Sequence, residues 1–403
     1  MMDPKEIKTS TFSQVLLWFG AAVSISELMT GALIAPLGFG QGFLAILVGH
    51  VIGALVLFPA GLIGAKSGLP WAESTRLSFS KYGSYGFSVV NILQLLGWTA
   101  VMIISGAKAF DGITAQLWNY QNERLWCIAI GLFICLWIFI GLKNLSKMNA
   151  VVITLLFICT IVLGITVFST PQSAAATNDT LTFGAAVELN IAMALSWLPL
   201  ISDYTRMLKK SFSGTAASVL SYFTGSVFMF TIGLGAAVYY GTSDVFTIMA
   251  SAGFGLAALA TIVLSTVTTT FLDVYSAGVS SVNISGKINQ KRASAIICIA
   301  GIVIAVLIPL NRYEDFLYLI SSVFAPLFAI SFTDYFLLHH REIRPQNSLN
   351  IKNLILWLIG FIAYRLLLSY NTVIGITLPV MLGLVTVSYV WGMAERKAHK
   401  QKN

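Results

Sequence analysis

TFSQVLLWFGAAVSISELMTGALIAPLGF, residues Thr11 to Phe39, is long and apolar enough to cross a bilayer, yet its middle is polar. Ser24, Ser26, Glu27 and Thr30 lie near its centre, and Gly31 and Pro36 follow. A carboxylate at mid-membrane costs about 2.5–3.5 kcal/mol on insertion scales, and such residues usually serve function. The stretch reads as a transmembrane helix broken in the middle, its unwound part lining a small-molecule site. A second broken helix is then expected, with the rest of the chain as scaffold.

Composition agrees. Of 403 residues, 57% are hydrophobic and only 10% charged, whereas soluble domains carry roughly 25% charged residues. This is an all-α polytopic membrane protein, because lone strands cannot satisfy their backbone in hydrocarbon. The net charge of +8 marks the cytoplasmic side rather than a nucleic-acid partner. Cys127, Cys135, Cys159 and Cys298 sit in apolar segments without metal-ligand spacing and read as small buried hydrophobes. No cofactor is implied. No cleavable leader is expected before the first span.

Twelve transmembrane helices are expected, near 13–36, 43–64, 84–109, 125–142, 148–168, 183–201, 213–240, 253–281, 293–310, 316–338, 351–369 and 372–393. With both termini cytoplasmic, all of the 24 Lys and Arg except Lys108, Arg124, Arg312 and Arg365 fall on the inner side. The loop at 66–83 carries Trp71, Leu77 and Phe79 beside Arg76 and Lys81, and reads as a short helix on the inner membrane surface. The segment 169–182 is an outer loop between two units of five spans. Five is odd, so the second unit enters from the opposite side and the pair is inverted. The units are 1–168 and 169–345; residues 346–403 add two helices and a cytoplasmic tail.

Span 6, FGAAVELNIAMALSWLPLISDYTRMLKK, is the counterpart of span 1. Glu188 and Asn190 are polar, and Pro199 removes a backbone hydrogen bond. Either 194–199 unwinds or the helix only kinks at the proline. In span 8, Ser265, Thr268 and Thr269 share a face. Together with carbonyls of Phe19 and Ala22 they can wrap Na⁺, or else bond back to their own helix. Asp273, one turn on, is a substrate ligand, a proton relay or a structural acid. In span 3, Gln94 and Trp98 share a face with Gly97 between them, a pairing suited to stacking on a flat heteroaromatic ring and reading its edge. Asp203 with Arg206, and Asp334, read as gate or anchor ion pairs. His339 and His340 read as solvated loop.

The stretches IGAKSGL (63–69), QLLGW (94–98), SDYTR (202–206), VYSAG (274–278) and FTDYF (332–336) resemble, in order and spacing, the nucleobase–cation–symport-1 family on its cytosine-permease side. Within it the chain looks most like the hydroxymethylpyrimidine permease group of thiamine-precursor salvage. The resemblance implies a leucine-transporter-type 5+5 inverted repeat with two extra C-terminal helices. It implies a cation-coupled symporter in the cell membrane, working as a monomer by alternating access of spans 1, 2, 6 and 7 against a scaffold. The substrate would lie between spans 1, 3, 6 and 8, stacked on Trp98, with Ser196 and its neighbours in contact. Phe19, Ala22, Ser265, Thr268 and Thr269 would hold sodium. Three departures stand out: Thr270 replaces an asparagine, the span-6 aromatic is shifted to Trp197, and Glu27 replaces an apolar residue. A carboxylate at 27 suits the exocyclic amine of an aminopyrimidine, favouring hydroxymethylpyrimidine over cytosine. The alternatives are an amino-acid or amine symporter on the same fold, and proton coupling through Glu27 or Asp273. An enzyme is not expected: no HExxH, Ser/His or Ser/Lys pattern occurs.

Overall fold

A computed structural model describes residues 8–140, scattered positions between 151 and 169, 181–241, 256–308, 312–343, 348–370 and 372–402, with backbone only at 113, 116, 140, 256–264, 268 and 399–402. Cys159, about half of the expected fifth span and most of the outer loop after it lie outside the described residues. Every other expected span is matched by a helix. Seven runs among the described residues are long and apolar enough to cross a membrane. Large apolar side chains point outward along them, such as Leu55 at 71% and Leu220 at 62% exposure, as lipid-facing surfaces require.

Span 1 consists of α1 (Thr11–Ala22) and α2 (Ile25–Leu33), followed by a single 3-10 turn (Ala35–Leu37) and α3 (Gly38–Ser67). The inner loop holds α4 (Trp71–Ser74) and leads into α5 (Arg76–Trp118), which bends at Ser80, where φ is 62°. Then come α6 (Glu123–Ile140), α7 (Phe183–Ser196), α8 (Leu198–Thr205), α9 (Ser211–Tyr240), α10 (Leu256–Ile284), α11 (Gln290–Leu307) and α12 (Tyr313–Phe332) with a π-helical turn (Thr333–Leu337). The chain closes with α13 (Ile351–Leu367) and α14 (Thr377–Lys402).

The densest packing falls within two groups. One joins α1, α2, α3, α7, α8 and α9; the other joins α5, α6, α10 and α11. In the first group, α2 and α9 meet backbone to backbone. A Cβ on Gly31 would lie 2.2 Å from the Phe230 carbonyl oxygen, and one on Gly233 would lie 2.1 Å from that of Leu28. Without a strong hydrophobic drive between helices in lipid, such small-residue contacts set the packing.

Two expectations are corrected. The inner loop does not lie on the membrane surface: Trp71 and Phe79 are buried in protein, Trp71 against Phe324 and Phe328. Asp203 and Arg206 form no ion pair among the described residues. Instead Asp203 Oδ1 accepts the Trp71 backbone N–H at 2.9 Å, while Arg206 Nε donates to the Asp203 carbonyl at 3.2 Å. This buried carboxylate anchors the inner loop to the end of span 6. Asp334 is likewise an anchor, accepting from Asn353 Nδ2 at 2.8 Å with His340 Nδ1 at 3.5 Å, so of the two histidines only His339 is fully exposed.

Glu188 fastens the C-terminal helices to α7. Its carboxylate accepts the Tyr364 hydroxyl (2.5 Å), the Thr377 hydroxyl (2.6 Å) and the backbone N–H groups of Ile376 (2.6 Å) and Thr377 (2.8 Å). The two amides are orphan donors at the start of α14, where negative charge is favoured.

Gly233→Ala is expected to destabilise the protein by about 1–3 kcal/mol, the cost of overpacking where backbone cannot yield. Thermal unfolding in detergent should show a lower Tm than for the exposed control Gly383→Ala, which meets nothing within 4 Å.

Candidate functional site

The site begins where α1 stops. Val23 has ψ 77° and Ser24 is fully extended (φ −135°, ψ 159°), so the helix is interrupted for these two residues before α2 resumes. The groups this frees find partners on other elements. The Val23 carbonyl accepts the Ser265 hydroxyl of α10 at 2.6 Å, and Ser24 Oγ meets Ser26 Oγ at 2.8 Å. The Ser26 carbonyl accepts from Thr30 Oγ1 at 2.8 Å and from Tyr313 Oη at 3.3 Å. No side chain caps the N-terminus of α2, which leaves its first amides as donors for an acceptor group.

Span 6 is interrupted less than expected. Trp197 alone separates α7 from α8 and keeps helical torsions (φ −87°, ψ −11°). The proline kink, rather than an unwound stretch over 194–199, is what forms. Its effect is still chemical: the Leu200 amide bonds to the Trp197 carbonyl at 3.0 Å, three residues back. The Ser196 carbonyl, so released, accepts Gln94 Nε2 at 2.8 Å.

Between these two interruptions lies a narrow cavity lined by Ser26, Trp98, Met102, Met193, Ser196, Trp197, Thr269 and Asp273. Its free volume is about 10 Å³, room for roughly one water, so a ring enters only if these walls part. Trp98 is fixed by edge contacts from Tyr313 (6.0 Å between centroids) and Phe316 (5.4 Å). Trp197 is fixed by Trp18 (5.7 Å) and Tyr222 (6.0 Å). The indole N–H groups of Trp98 and Trp197 and the Thr269 hydroxyl are buried without partners. Asp273 is 5% exposed and makes no ion pair among the described residues. Buried polar groups normally find hydrogen bonds, so these unmet ones make the cavity the candidate site.

Of the expected substrate residues, the fold therefore brings Trp98, Ser196, Trp197 and Asp273 together. Three others stand elsewhere. Gln94 lies behind Ser196, with Oε1 unpartnered. Thr270 donates back to the Thr266 carbonyl at 2.6 Å, as hydroxyls in apolar helices do. Glu27 is turned away from the cavity toward α9, accepting from Tyr222 Oη at 2.9 Å and Ser226 Oγ at 2.5 Å. Ser26, Met102 and Met193 line the cavity without having been singled out as ligands. Methionines at helical spacing look like core in a sequence, and only the crossing of spans 3 and 6 gives them a common wall.

Of the expected cation ligands, one side chain is seen at the same break. Ser265 reaches Val23, and Thr269 Oγ1 is free. The Phe19 and Ala22 carbonyls sit in the last turn of α1, accepting the Val23 and Ser24 amides at 3.0 Å each. The Thr268 side chain lies outside the described residues. All five are neutral oxygens, a donor set that fits a hard monovalent cation, and the unpartnered Thr269 hydroxyl is the observation that supports the fit. No cluster of His, Cys, Asp and Glu suited to a transition metal occurs among the described residues.

Comparisons with known proteins agree with this architecture. The cytosine permease of Escherichia coli (strain K12) is 23% identical over 347 residues, covering 84% of this chain and 80% of the permease. A purine-cytosine permease of Emericella nidulans is 29% identical over 116 residues, 28% of this chain and 23% of that one. Among solved structures, Mhp1, a nucleobase-cation-symport-1 family transporter in a closed conformation with bromovinylhydantoin bound, superposes with a TM-score of 0.82 at 19% identity, covering 98% of this chain and 94% of Mhp1. MhsT in complex with L-phenylalanine gives 0.66 at 15% identity, covering 95% and 99%. The fold is the leucine-transporter type, with two helices added at the C-terminus. The model of the permeases for cytosine/purines, uracil, thiamine and allantoin matches residues 3–392. The chain belongs to that family, and is a multi-pass membrane transporter of nucleobase type rather than an enzyme.

Proposed function

We propose that this protein is a sodium-coupled symporter that imports a single-ring aminopyrimidine, with hydroxymethylpyrimidine, the thiamine precursor, as cargo ahead of cytosine. The observation that carries the reading is the pairing of Trp98 with Asp273 in one narrow cavity. An indole face stacks on a flat ring, and a carboxylate accepts from an exocyclic amine. The amine-binding role expected for Glu27 passes to Asp273, because Glu27 faces α9. Met102 and Met193 offer a soft apolar wall for a methyl substituent. Ser26 and Ser196 stand beside it for a hydroxymethyl group. An amino acid suits the cavity less well, since its free carboxylate would lie close to Asp273.

Sodium held by Phe19, Ala22, Ser265, Thr268 and Thr269 would fix the conformation of Val23 and Ser24, and with it the position of Ser26 in the cavity. Binding is reciprocal, so the ring must tighten sodium as much as sodium tightens the ring. The bundle of α1, α2, α3, α7, α8 and α9 would rock against α5, α6, α10 and α11, in a monomer with both termini in the cytoplasm.

Trp98→Ala should weaken binding of hydroxymethylpyrimidine by roughly ten- to a hundredfold, the ~1–3 kcal/mol of a base–aromatic stack, while Trp98→Phe keeps part of it. Ligand-induced stabilisation of the purified protein across a pyrimidine panel measures this; equal stabilisation of wild type and Trp98→Ala would count against the site. Thr269→Ala should raise the sodium concentration needed for half-maximal uptake in proteoliposomes by about tenfold, the worth of ~1.4 kcal/mol. Wild-type uptake at an unchanged rate with sodium replaced by choline would exclude sodium coupling. A pyrimidine-requiring thiamine auxotroph lacking other uptake routes should need this gene to grow on limiting hydroxymethylpyrimidine.

A further inference from the structure

Behind the cavity, three side chains from three helices form a chain that the ring and the cation do not use. Ser226 Oγ of α9 lies 2.5 Å from Glu27 Oε2 of α2 and 2.7 Å from His50 Nε2 of α3. All three residues are buried. His50 Nδ1 is 2.9 Å from the Ile46 carbonyl, which only accepts, so Nδ1 carries a hydrogen. The other Glu27 oxygen accepts from Tyr222.

Hydrogens can now be counted. With Glu27 ionised and His50 neutral, Glu27 Oε2 and His50 Nε2 are both acceptors, and the single Ser226 hydrogen can serve only one of them. The other would face an oxygen lone pair at hydrogen-bond distance, and the interior would hold one unbalanced charge. One added proton removes both faults. Placed on Glu27, it donates to Ser226, which donates to His50. Placed on Nε2, it donates to Ser226, which donates to Glu27. Either arrangement is neutral overall and satisfies every group, and the two interconvert by shifting hydrogens along the same line.

We propose that Glu27, Ser226 and His50 form a proton-binding site that holds one resident proton and thereby fastens α2 to α3 and α9. All three helices belong to the same packing group, so rocking of that group against its partner leaves the chain intact. The proton accordingly stays in place rather than travelling with cargo. No other charged group offers the missing hydrogen. Tyr222 on α9 is committed to Glu27. Tyr313 on α12 meets Thr30 at 2.9 Å. Asn190 on α7, beside Gly49, meets His50 through its amide, but its Nδ2 donates to the Ala186 carbonyl. Phe223 and Phe230 close edge-on around the imidazole, and no ion pair among the described residues includes Glu27 or His50.

The count of one proton does not depend on the permease reading; its residence during transport does. Above about pH 7 the unfolded chain carries neither proton, since free glutamate and histidine are both deprotonated there. The folded protein binds one more, so its stability falls as pH rises. Equilibrium unfolding in mixed micelles should give an unfolding constant that increases about tenfold per pH unit more steeply in wild type than in Glu27→Gln, whose amide N–H replaces the proton. The double variant Glu27→Gln/His50→Gln, which removes both titrating groups and leaves an amide at each end of the chain, should lose the same slope and serves if Glu27→Gln does not fold. An identical slope in wild type and either variant would overturn the site. Proteoliposomes loaded with a pH dye and given hydroxymethylpyrimidine at equal sodium on both sides test residence. Uptake should leave the lumen pH unchanged, and acidification that vanishes in Glu27→Gln would overturn it. Absence of uptake of both hydroxymethylpyrimidine and cytosine would count against the permease reading, while the unfolding slope still decides the proton.

Discussion

Two residues without helical backbone, Val23 and Ser24, are the constraint on which the rest of the molecule depends. In hydrocarbon an open helix is tolerated only where protein or a polar cavity satisfies its freed groups. Here Ser265 comes from α10 to the Val23 carbonyl, and Tyr313 comes from α12 to the Ser26 carbonyl. The break thus draws three distant parts of the chain to one depth. Tyr313 thereby holds Ser26 on the cavity wall, and Trp98 and Trp197 are wedged on its sides by other aromatic rings.

The surrounding packing keeps that break in place. The glycine contacts of α2 and α9 press the second half of span 1 against span 7. Glu188 ties α7 to the start of α14, so the added C-terminal helices grip the group that carries the site. At the inner end Asp203 binds the loop before α5. Each buried carboxylate is met by fixed donors from another element, which makes these acids fasteners. Asp273 alone among the acids discussed faces the cavity, and this difference in environment separates a ligand from a structural acid.

Much of this was legible in the sequence, because membrane proteins write their constraints in coarse letters. Span positions follow from hydropathy. The broken first span follows from Ser24, Ser26 and Glu27 in an apolar run. Trp98 and Asp273 stand out as a mid-span indole and an acid inside an apolar span. What failed was direction. Glu27 was read as facing the cargo because its depth was right, but helix rotation, set by glycines on two helices far apart in sequence, turns it to Ser226. Thr270 sits next to Thr269, yet only Thr269 has a free hydroxyl, a distinction of one helical step. Pro199 leaves unwinding and a simple kink both open in the sequence, and the kink forms, with one residue, Trp197, between the two helices. Trp71 looked like a membrane-surface anchor until Phe324 and Phe328, distant in sequence, enclosed it.

The central claim is that the interrupted first span, Trp98 and Asp273 together enclose one flat ring. The most direct measurement is an experimental structure of the protein with hydroxymethylpyrimidine or cytosine in sodium. The account predicts a ring lying against the Trp98 face, its amine within hydrogen-bond distance of Asp273, with Val23 and Ser24 non-helical. A ring bound elsewhere, or a first span wound continuously through Val23 and Ser24, would contradict it.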